Sequence, residues 1–263
     1  MRDIDDIGGP PLLTIADRVA TVRLNRPRQL NKLTASDLAA LSGIFASVGA
    51  DPSVRVLVLT GTGRVFSAGY DLGDIAARVA GAEPPEPRAA APSFEQVCDQ
   101  LENLAQPTIC MLNGGVYGGA TDLALACDFR VGVDTCEMFM PAARLGLHYY
   151  KSGMTRYVSR LGLGAAKKLF LTAEKIGALE MHQIGYLDEV ASADTLAARV
   201  AARAATIAGN APIAVQGMKR TLNEIARNSL DEAAADQRHR DSFASAELRE
   251  GSAAFAAKRP PRF

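Results

Sequence analysis

Residues 108–128 read TICMLNGGVYGGATDLALACD, and the rest of the chain is laid out around them. A short apolar run, Thr108 to Leu112, is followed by Asn113, by glycines at 114, 115, 118 and 119, and by an apolar segment with one acid, Asp122, near its start. The pattern predicts a strand, a tight glycine turn and a buried helix. Glycine lets a ligand come close to the main chain, and the first turn of a helix leaves N–H groups without intrahelical partners. Such a turn offers amide donors to an anion or a polarised carbonyl. It equally fits a plain turn of an α/β protein, in which the helix dipole alone favours an acid in the first turn.

A second copy of the layout distinguishes these readings. Residues 54–71, VRVLVLTGTGRVFSAGYD, again run from an apolar strand through a Thr-Gly turn to a small-residue step, Ala68-Gly69, before a bulky residue and an acid. Two strand ends can therefore deliver two backbone N–H groups, from Tyr70 and Gly119, into one cleft. A pair of donors aimed at one oxygen is an oxyanion hole, in which each donor contributes about 2.7–4 kcal/mol of transition-state stabilisation.

Around these two stretches lie 263 residues, 48% hydrophobic, with 29 basic and 29 acidic side chains. The length is ample for a full core, and the balanced charge gives no electrostatic reason to expect nucleic acid as a partner. The four cysteines, 98, 110, 127 and 136, read as buried reduced thiols. No run approaches the roughly 18 apolar residues of a membrane span, and MRDIDDIGG at the start has no apolar core for a signal peptide. The expectation is a cytoplasmic protein with no membrane partner.

From Leu12 to Leu24 the pattern predicts two short strands with a bend at Asp17-Arg18. Thr34 is expected to cap a helix whose apolar face is Leu38, Leu41, Ile44, Phe45 and Val48, stopped by Asp51-Pro52. Residues 54–59 predict a strand buried on both faces. Residues 78–92, rich in proline, predict a loop that fits a lid over the cleft and equally fits surface slack. Phe94, Val97, Leu101 and Leu104 mark another helical face, and residues 128–133 another strand. From Gly153 to Ser252 a single strand is expected, Tyr186–Val190, among helices at about 153–161, 164–172, 177–184, 193–209, 212–227 and 231–250. A front containing strands and a helical back divide the chain into a core over 1–200 and a module over 201–263.

Other glycine-based readings fail. Gly61 and Gly63 are followed by Phe66 where a dinucleotide fingerprint needs a third glycine, and no Gly-Lys-Ser/Thr exists for a phosphate loop. Ser67 lacks the leading glycine of a nucleophile elbow. His148, His182 and His239 stand far apart with no metal-ligand spacing, so no metal is expected.

Taken together the segments resemble the crotonase superfamily of enoyl-CoA hydratases and isomerases. The resemblance is an ordered series over nearly the whole chain: NRPRQLNKLT at 25–34, VLVLTGTGRVFSAGYDL at 56–72, NGGVYGGATDLALACD at 113–128, RLGL at 144–147 with RYVSRLGLGAAKKLFLT at 156–172, and ELREGSAAFAAKRPPRF at 247–263. It implies an α/β fold, a crotonase-like spiral of ββα turns, with a C-terminal helical module used for trimers or dimers of trimers. It implies a CoA thioester as substrate, with CoA its carrier part and no tightly bound cofactor. The amides of Tyr70 and Gly119 would hold the thioester carbonyl. Leu30, Lys32, Ala68, Asp71 and Leu72 would receive the CoA portion, with Gly118 and Ala142 also at the site.

The departures bear on mechanism. Hydratases of this family place two glutamates beside the substrate, and here Asp122 stands at the first position and Ala142 at the second. A methyl group cannot transfer a proton, so double-acid hydration is in doubt and Asp122 is expected to act as the single acid/base. His148, Tyr149 and Tyr150 either supply a replacement group, as in a hydrolase or C–C-cleaving enzyme, or narrow the acyl site. A CoA-thioester binding protein with little catalysis is the third reading.

Overall fold

The computed structural model describes residues 8–71, 73 and 92–263. Leu72, and all of the 78–92 loop except Pro92, lie outside the described residues. The strands are β1 (Leu12–Ala16), β2 (Val19–Leu24), β3 (Val56–Gly61), β4 (Val65–Ser67), β5 (Thr108–Leu112), β6 (Gly115–Tyr117), β7 (Phe129–Val133), β8 (Glu137–Phe139), β9 (Lys175–Gly177) and β10 (Glu189–Ala191). The helices are α1 (Ala35–Ala50), α2 (Phe94–Glu102), α3 (Ala120–Leu125), α4 (Lys151–Lys167), α5 (Ala178–Gln183), α6 (Ala193–Ala208), α7 (Pro212–Ala226), α8 (Glu232–Ala244) and α9 (Ala246–Ala256).

Three successive turns share one plan: β3, β4 and α2; β5, β6 and α3; β7, β8 and α4. The first strand of each turn joins a sheet of order β1-β2-β3-β5-β7-β10, and the second joins a sheet of order β4-β6-β8-β9. The turns stack through parallel pairing, β3 on β5 and β5 on β7 in one sheet, β4 on β6 and β6 on β8 in the other. This is the expected ββα spiral. Because β3 has a neighbour on each edge and side chains packed on both faces, all six of its residues are buried.

Local chemistry sets the element ends. Asp17 and Arg18 turn the β1–β2 hairpin with φ of 50° and 65°. Thr34 and Asp37 form a reciprocal capping box at the start of α1, and Ser93 with Gln96 does the same for α2. Leu38, Leu41, Phe45 and Val48 of α1 join a continuous apolar core with β2, β3, α2 and α3.

The resemblance implied a second strand in each turn, but the residue pattern did not place these strands, because they are three residues long and too short to display alternation. For the same reason the back half holds two strands, not one: β9 pairs antiparallel with β8, and β10 closes the large sheet beside β7. The helices expected at 153–161 and 164–172 are one element broken at Gly162 (φ 81°, ψ 160°), followed by a π-helical turn at Lys168–Thr172. The helix expected over 231–250 divides at Ser245, whose extended backbone (ψ 151°) ends α8 and whose hydroxyl accepts from Leu248 N to cap α9.

The C-terminal helices are tied to the spiral by polar contacts. Lys219 on α7 pairs with Asp128 at 2.7 Å and donates to the Gln106 carbonyl, while Asn223 and Arg227 reach Glu102. Leu222, Ile225, Phe243 and Phe255 on these helices remain exposed. Among the described residues no helix is long and apolar enough to cross a membrane.

Candidate active site

The two glycine bends meet. Past β4, the Ala68 amide donates to Leu30 O, Leu33 N to Gly69 O, and Asp71 N to Leu33 O, at 2.7, 2.8 and 3.0 Å. Leu30 and Asn31 adopt left-handed backbone, φ 53° each, which lets this short segment run alongside residues 68–71. Ser67 Oγ donates to Asn31 O and accepts from Gly69 N. Gly69 has φ +88°, and a Cβ there would stand 2.5 Å from Tyr117 O and 3.0 Å from the Gly119 nitrogen, so only glycine allows this approach. On the other side Gly118, φ +55°, donates its amide to Phe139 O at 2.8 Å. Among the described residues the Gly119 amide has no acceptor.

Both bends line a cavity of about 1030 Å³. Its lining includes Ala68, Tyr70, Gly118, Gly119 and Ala142, and its far wall carries His148, Tyr149 and Tyr150. Leu30, Lys32 and Asp71 sit behind the first bend, outside this lining. The ammonium of Lys32, 2.7 Å from Asp71, donates a hydrogen bond that holds this carboxyl below its ordinary range, and the Gly73 amide adds to the effect. Four of the six tyrosines of the chain line the cavity, with Phe94 and Phe139.

Asp122 lies in α3 as expected, at 0% exposure, but it stands behind the wall and not on the lining. Arg156 of α4, itself 1% exposed, grips it with two parallel hydrogen bonds, Nε to Oδ1 at 3.0 Å and Nη2 to Oδ2 at 2.7 Å. Tyr150 donates its hydroxyl to Oδ2 of Asp122, and Tyr149 donates to the Tyr150 oxygen at 3.2 Å. The two tyrosine rings stack with centroids 4.3 Å apart. The group presented to the cavity is thus a phenol, with the carboxylate one hydrogen bond behind it.

The charge behind the wall extends further. Arg156 Nη1 reaches Asp99 at 2.7 Å and Glu102 at 3.2 Å, and Glu102 also receives Arg160 and Arg227. Three carboxylates thus face three guanidinium groups, which is how a buried ionic cluster avoids an uncompensated charge. Burial pushes the Tyr149 and Tyr150 phenols well above the ordinary tyrosine value, the nearby Asp122 charge adding to it. Burial alone would lower the Arg156 guanidinium, but its hydrogen bonds to Asp122 and that carboxylate's charge raise it above the ordinary arginine value. Both phenols therefore remain protonated donors at neutral pH.

Ala142 lies buried at the start of a 3₁₀ turn, Ala142–Leu145, and presents a methyl to the cavity. Among the described residues the lining contains no aspartate or glutamate; its ionisable members are Tyr70, Tyr117, His148, Tyr149, Tyr150 and Lys151. Arg156, which holds Asp122 from behind the cavity wall, is the residue of this cluster that sequence reasoning missed. Its signal was the pair Arg156 and Arg160, one turn apart beside Tyr157 on a helix that packs on the core. Two arginines on one turn, with one of them turned inward, require buried acids opposite.

A sequence model of the enoyl-CoA hydratase/isomerase family matches residues 14–263. The chain belongs to this family, part of the crotonase superfamily. The 1,2-epoxyphenylacetyl-CoA isomerase of Escherichia coli (strain K12) is 31% identical, over 93% of this chain and 94% of the relative. The crotonyl-CoA hydratase of Syntrophomonas wolfei is 29% identical, over 96% of each. Among solved structures, an enoyl-CoA hydratase/carnithine racemase from Magnetospirillum magneticum superimposes with a TM-score of 0.89 at 28% identity, covering 97% of this chain and 95% of that one. This family member thus carries the spiral and both glycine bends, with Tyr150 placed between Asp122 and the cavity.

Proposed function

We propose that the protein is an enzyme that binds an acyl- or enoyl-CoA thioester and moves a proton next to the thioester group. The carbonyl is taken by the amides of Tyr70 and Gly119, which line one cavity at the point where Gly69 touches the second bend. The CoA portion lies over the segment formed by Leu30, Lys32, Ala68 and Asp71, which backbone hydrogen bonds and the Lys32–Asp71 pair hold together. Preorganised donors at the carbonyl stabilise the enolate, and a nearby group that exchanges a proton completes the reaction.

The observation that carries the reading is the hydrogen bond from Tyr150, on the cavity, to Asp122, wholly buried behind it. Asp122 remains the single acid/base, acting through the Tyr150 hydroxyl without touching the substrate. Ala142 supplies no second acid, which favours a proton shift over two-acid hydration. The exposed apolar residues of α7–α9 support a homotrimer or a dimer of trimers.

A second reading, a CoA-thioester binding protein with little catalysis, is favoured by the absence of carboxylates from the described lining. Hydrolysis or C–C cleavage is favoured by the position of His148 on the cavity wall. A panel of enoyl-, dienoyl- and aryl-CoA thioesters, assayed with wild type, Tyr150→Phe, Asp122→Asn and His148→Ala, separates the three. Double-bond migration or α-hydrogen exchange lost in the first two variants supports the proton shift. Tight binding without turnover by wild type supports the binding protein, and CoA release that depends on His148 supports cleavage.

A further inference from the structure

A phenol is both donor and acceptor, so the direction of a row of tyrosine hydroxyls is set by the group at its end. Here the end is Asp122. If this group carried a proton it could donate to Tyr150, and the row could run outward, presenting an O–H to the cavity. Both Asp122 oxygens instead accept from Arg156, Oδ1 from Nε and Oδ2 from Nη2. The row therefore runs inward, Tyr149 donating to Tyr150 and Tyr150 to Asp122.

We infer that Arg156 is a positioning residue, whose bidentate grip keeps Asp122 an acceptor and so sets the Tyr149–Tyr150–Asp122 row to take a proton from the cavity. The inference rests on the reading that this cavity holds a thioester. In the step itself, the C–H bond next to the thioester breaks and its electron pair passes into the enolate, whose oxygen sits at the Tyr70 and Gly119 amides. The hydrogen goes to the Tyr150 oxygen as the Tyr150 proton passes to Oδ2 of Asp122. One negative charge thereby moves from Asp122 to the enolate oxygen, and the reverse transfer returns the proton at the new position.

Arg156 suits this role because it is not held by Asp122 alone. Its third nitrogen, Nη1, is anchored to Asp99 and Glu102 on α2, so the guanidinium keeps its place as the charge on Asp122 changes during the cycle. The other ionisable groups around the row are His148 and Lys151, which flank the two tyrosines on the cavity lining, Cys98 on α2, Tyr157 and Arg160 on α4, and Arg227 just past the end of α7. Tyr157 is turned away, donating to Thr121 Oγ1, and the two arginines are occupied by Glu102. Cys98 is fully buried and its thiol is pushed up by that burial, so it stays neutral.

The test uses the full chain carrying Arg156→Gln, Arg156→Lys, Tyr150→Phe, Asp122→Asn and the neutral pair Asp122→Asn with Arg156→Gln. It employs a thioester that wild type processes. Hydrogen exchange with D2O next to the thioester, kcat, KM, the pH profile and thermal melting are measured. Arg156→Gln is expected to lower exchange and kcat about a hundredfold or more, the lower end of what a positioned proton-transfer group contributes. KM should stay within about threefold, since uniform binding is untouched, and the acid limb of the pH profile should move. Arg156→Lys, which keeps a cation on Asp122, should recover part of the rate. In the Asp122→Asn background, Arg156→Gln should change kcat by less than about twofold, because a residue acting through Asp122 has nothing left to act on.

Losses that add in the double variant overturn the inference, as does an Arg156→Gln enzyme of near wild-type rate and pH profile. Should Arg156→Gln not fold, the neutral pair and Arg156→Lys decide. A full wild-type kcat in Arg156→Lys, which lacks the bidentate grip, or a neutral pair slower than Asp122→Asn alone, then overturns it. If wild type turns over and Tyr150→Phe does not, while Arg156 is indifferent, only this inference fails. If wild type exchanges hydrogen with no thioester, the functional reading fails first.

Discussion

At Gly69 an added Cβ would fall 2.5 Å from the Tyr117 carbonyl, whereas at Gly118, on the facing bend, it would have 3.8 Å to its nearest neighbour, the Ala68 carbonyl. Both residues have positive φ, +88° and +55°. The first bend is therefore fixed by steric contact with the second, and is held from behind by the Leu30–Leu33 segment. At Gly118 the second bend demands only the left-handed backbone, its amide anchored to Phe139 O at 2.8 Å, and it leads into the helix that carries Asp122. One bend sets how closely the two amides approach, and the other joins that geometry to the buried charge cluster.

The largest effect should come from breaking the second bend's link to the cluster. Asp122→Ala leaves Arg156 buried beside a missing partner and should cost about 3–5 kcal/mol of stability, the usual result of breaking a buried pair; denaturant unfolding measures it. If the cost is under about 1 kcal/mol, the range of an exposed pair, the cluster does not hold the helix. Gly69→Ala should next displace the Tyr70 or Gly119 amide and cost about 2.7–4 kcal/mol in kcat for a CoA thioester, with little change in the Asp122 network. Gly118→Ala should cost only the left-handed backbone penalty, about 1–2 kcal/mol. Equal losses at 69 and 118 would erase the contrast between the bends.

The smallest effect belongs to the segment behind the first bend. Lys32→Met removes a partly exposed ion pair worth about 0.2–1 kcal/mol. Asp71 has its folded-state carboxyl held below the ordinary value, so its contribution is fully present above about pH 4. It is lost as pH falls through the folded value. Stability curves of wild type and Lys32→Met should therefore differ at neutral pH and converge in acid, and a difference that grows in acid would show that Asp71 is held by something else.

The contrast also marks what could be read from the chain. The bends were legible because glycine, a strand run and a helix start announce themselves locally, and the Thr34–Asp37 cap and the β1–β2 hairpin were legible for the same reason. Asp122 was located correctly in the helix, but its surroundings were not legible. Arg156 comes from 34 residues downstream and Glu102 from another turn of the spiral, and no local pattern ties them to Asp122. The phenol between Asp122 and the cavity follows from where the 148–150 loop lands after the 3₁₀ turn, a tertiary outcome. The small sheet escaped for a different reason, since three-residue strands are stabilised by their neighbours and carry no periodicity of their own.

The bonds from α7 to the spiral give the tail a role that its sequence does not advertise. Lys219 and Arg227 supply positive charge to Asp128 and Glu102, two acids rooted in separate turns of the spiral. A chain cut before Pro212 would strip both counter-ions at once, leaving the truncated spiral with surplus negative charge beside the row that ends at Tyr149. The segment from Pro212 onward is thus an electrical part of the spiral.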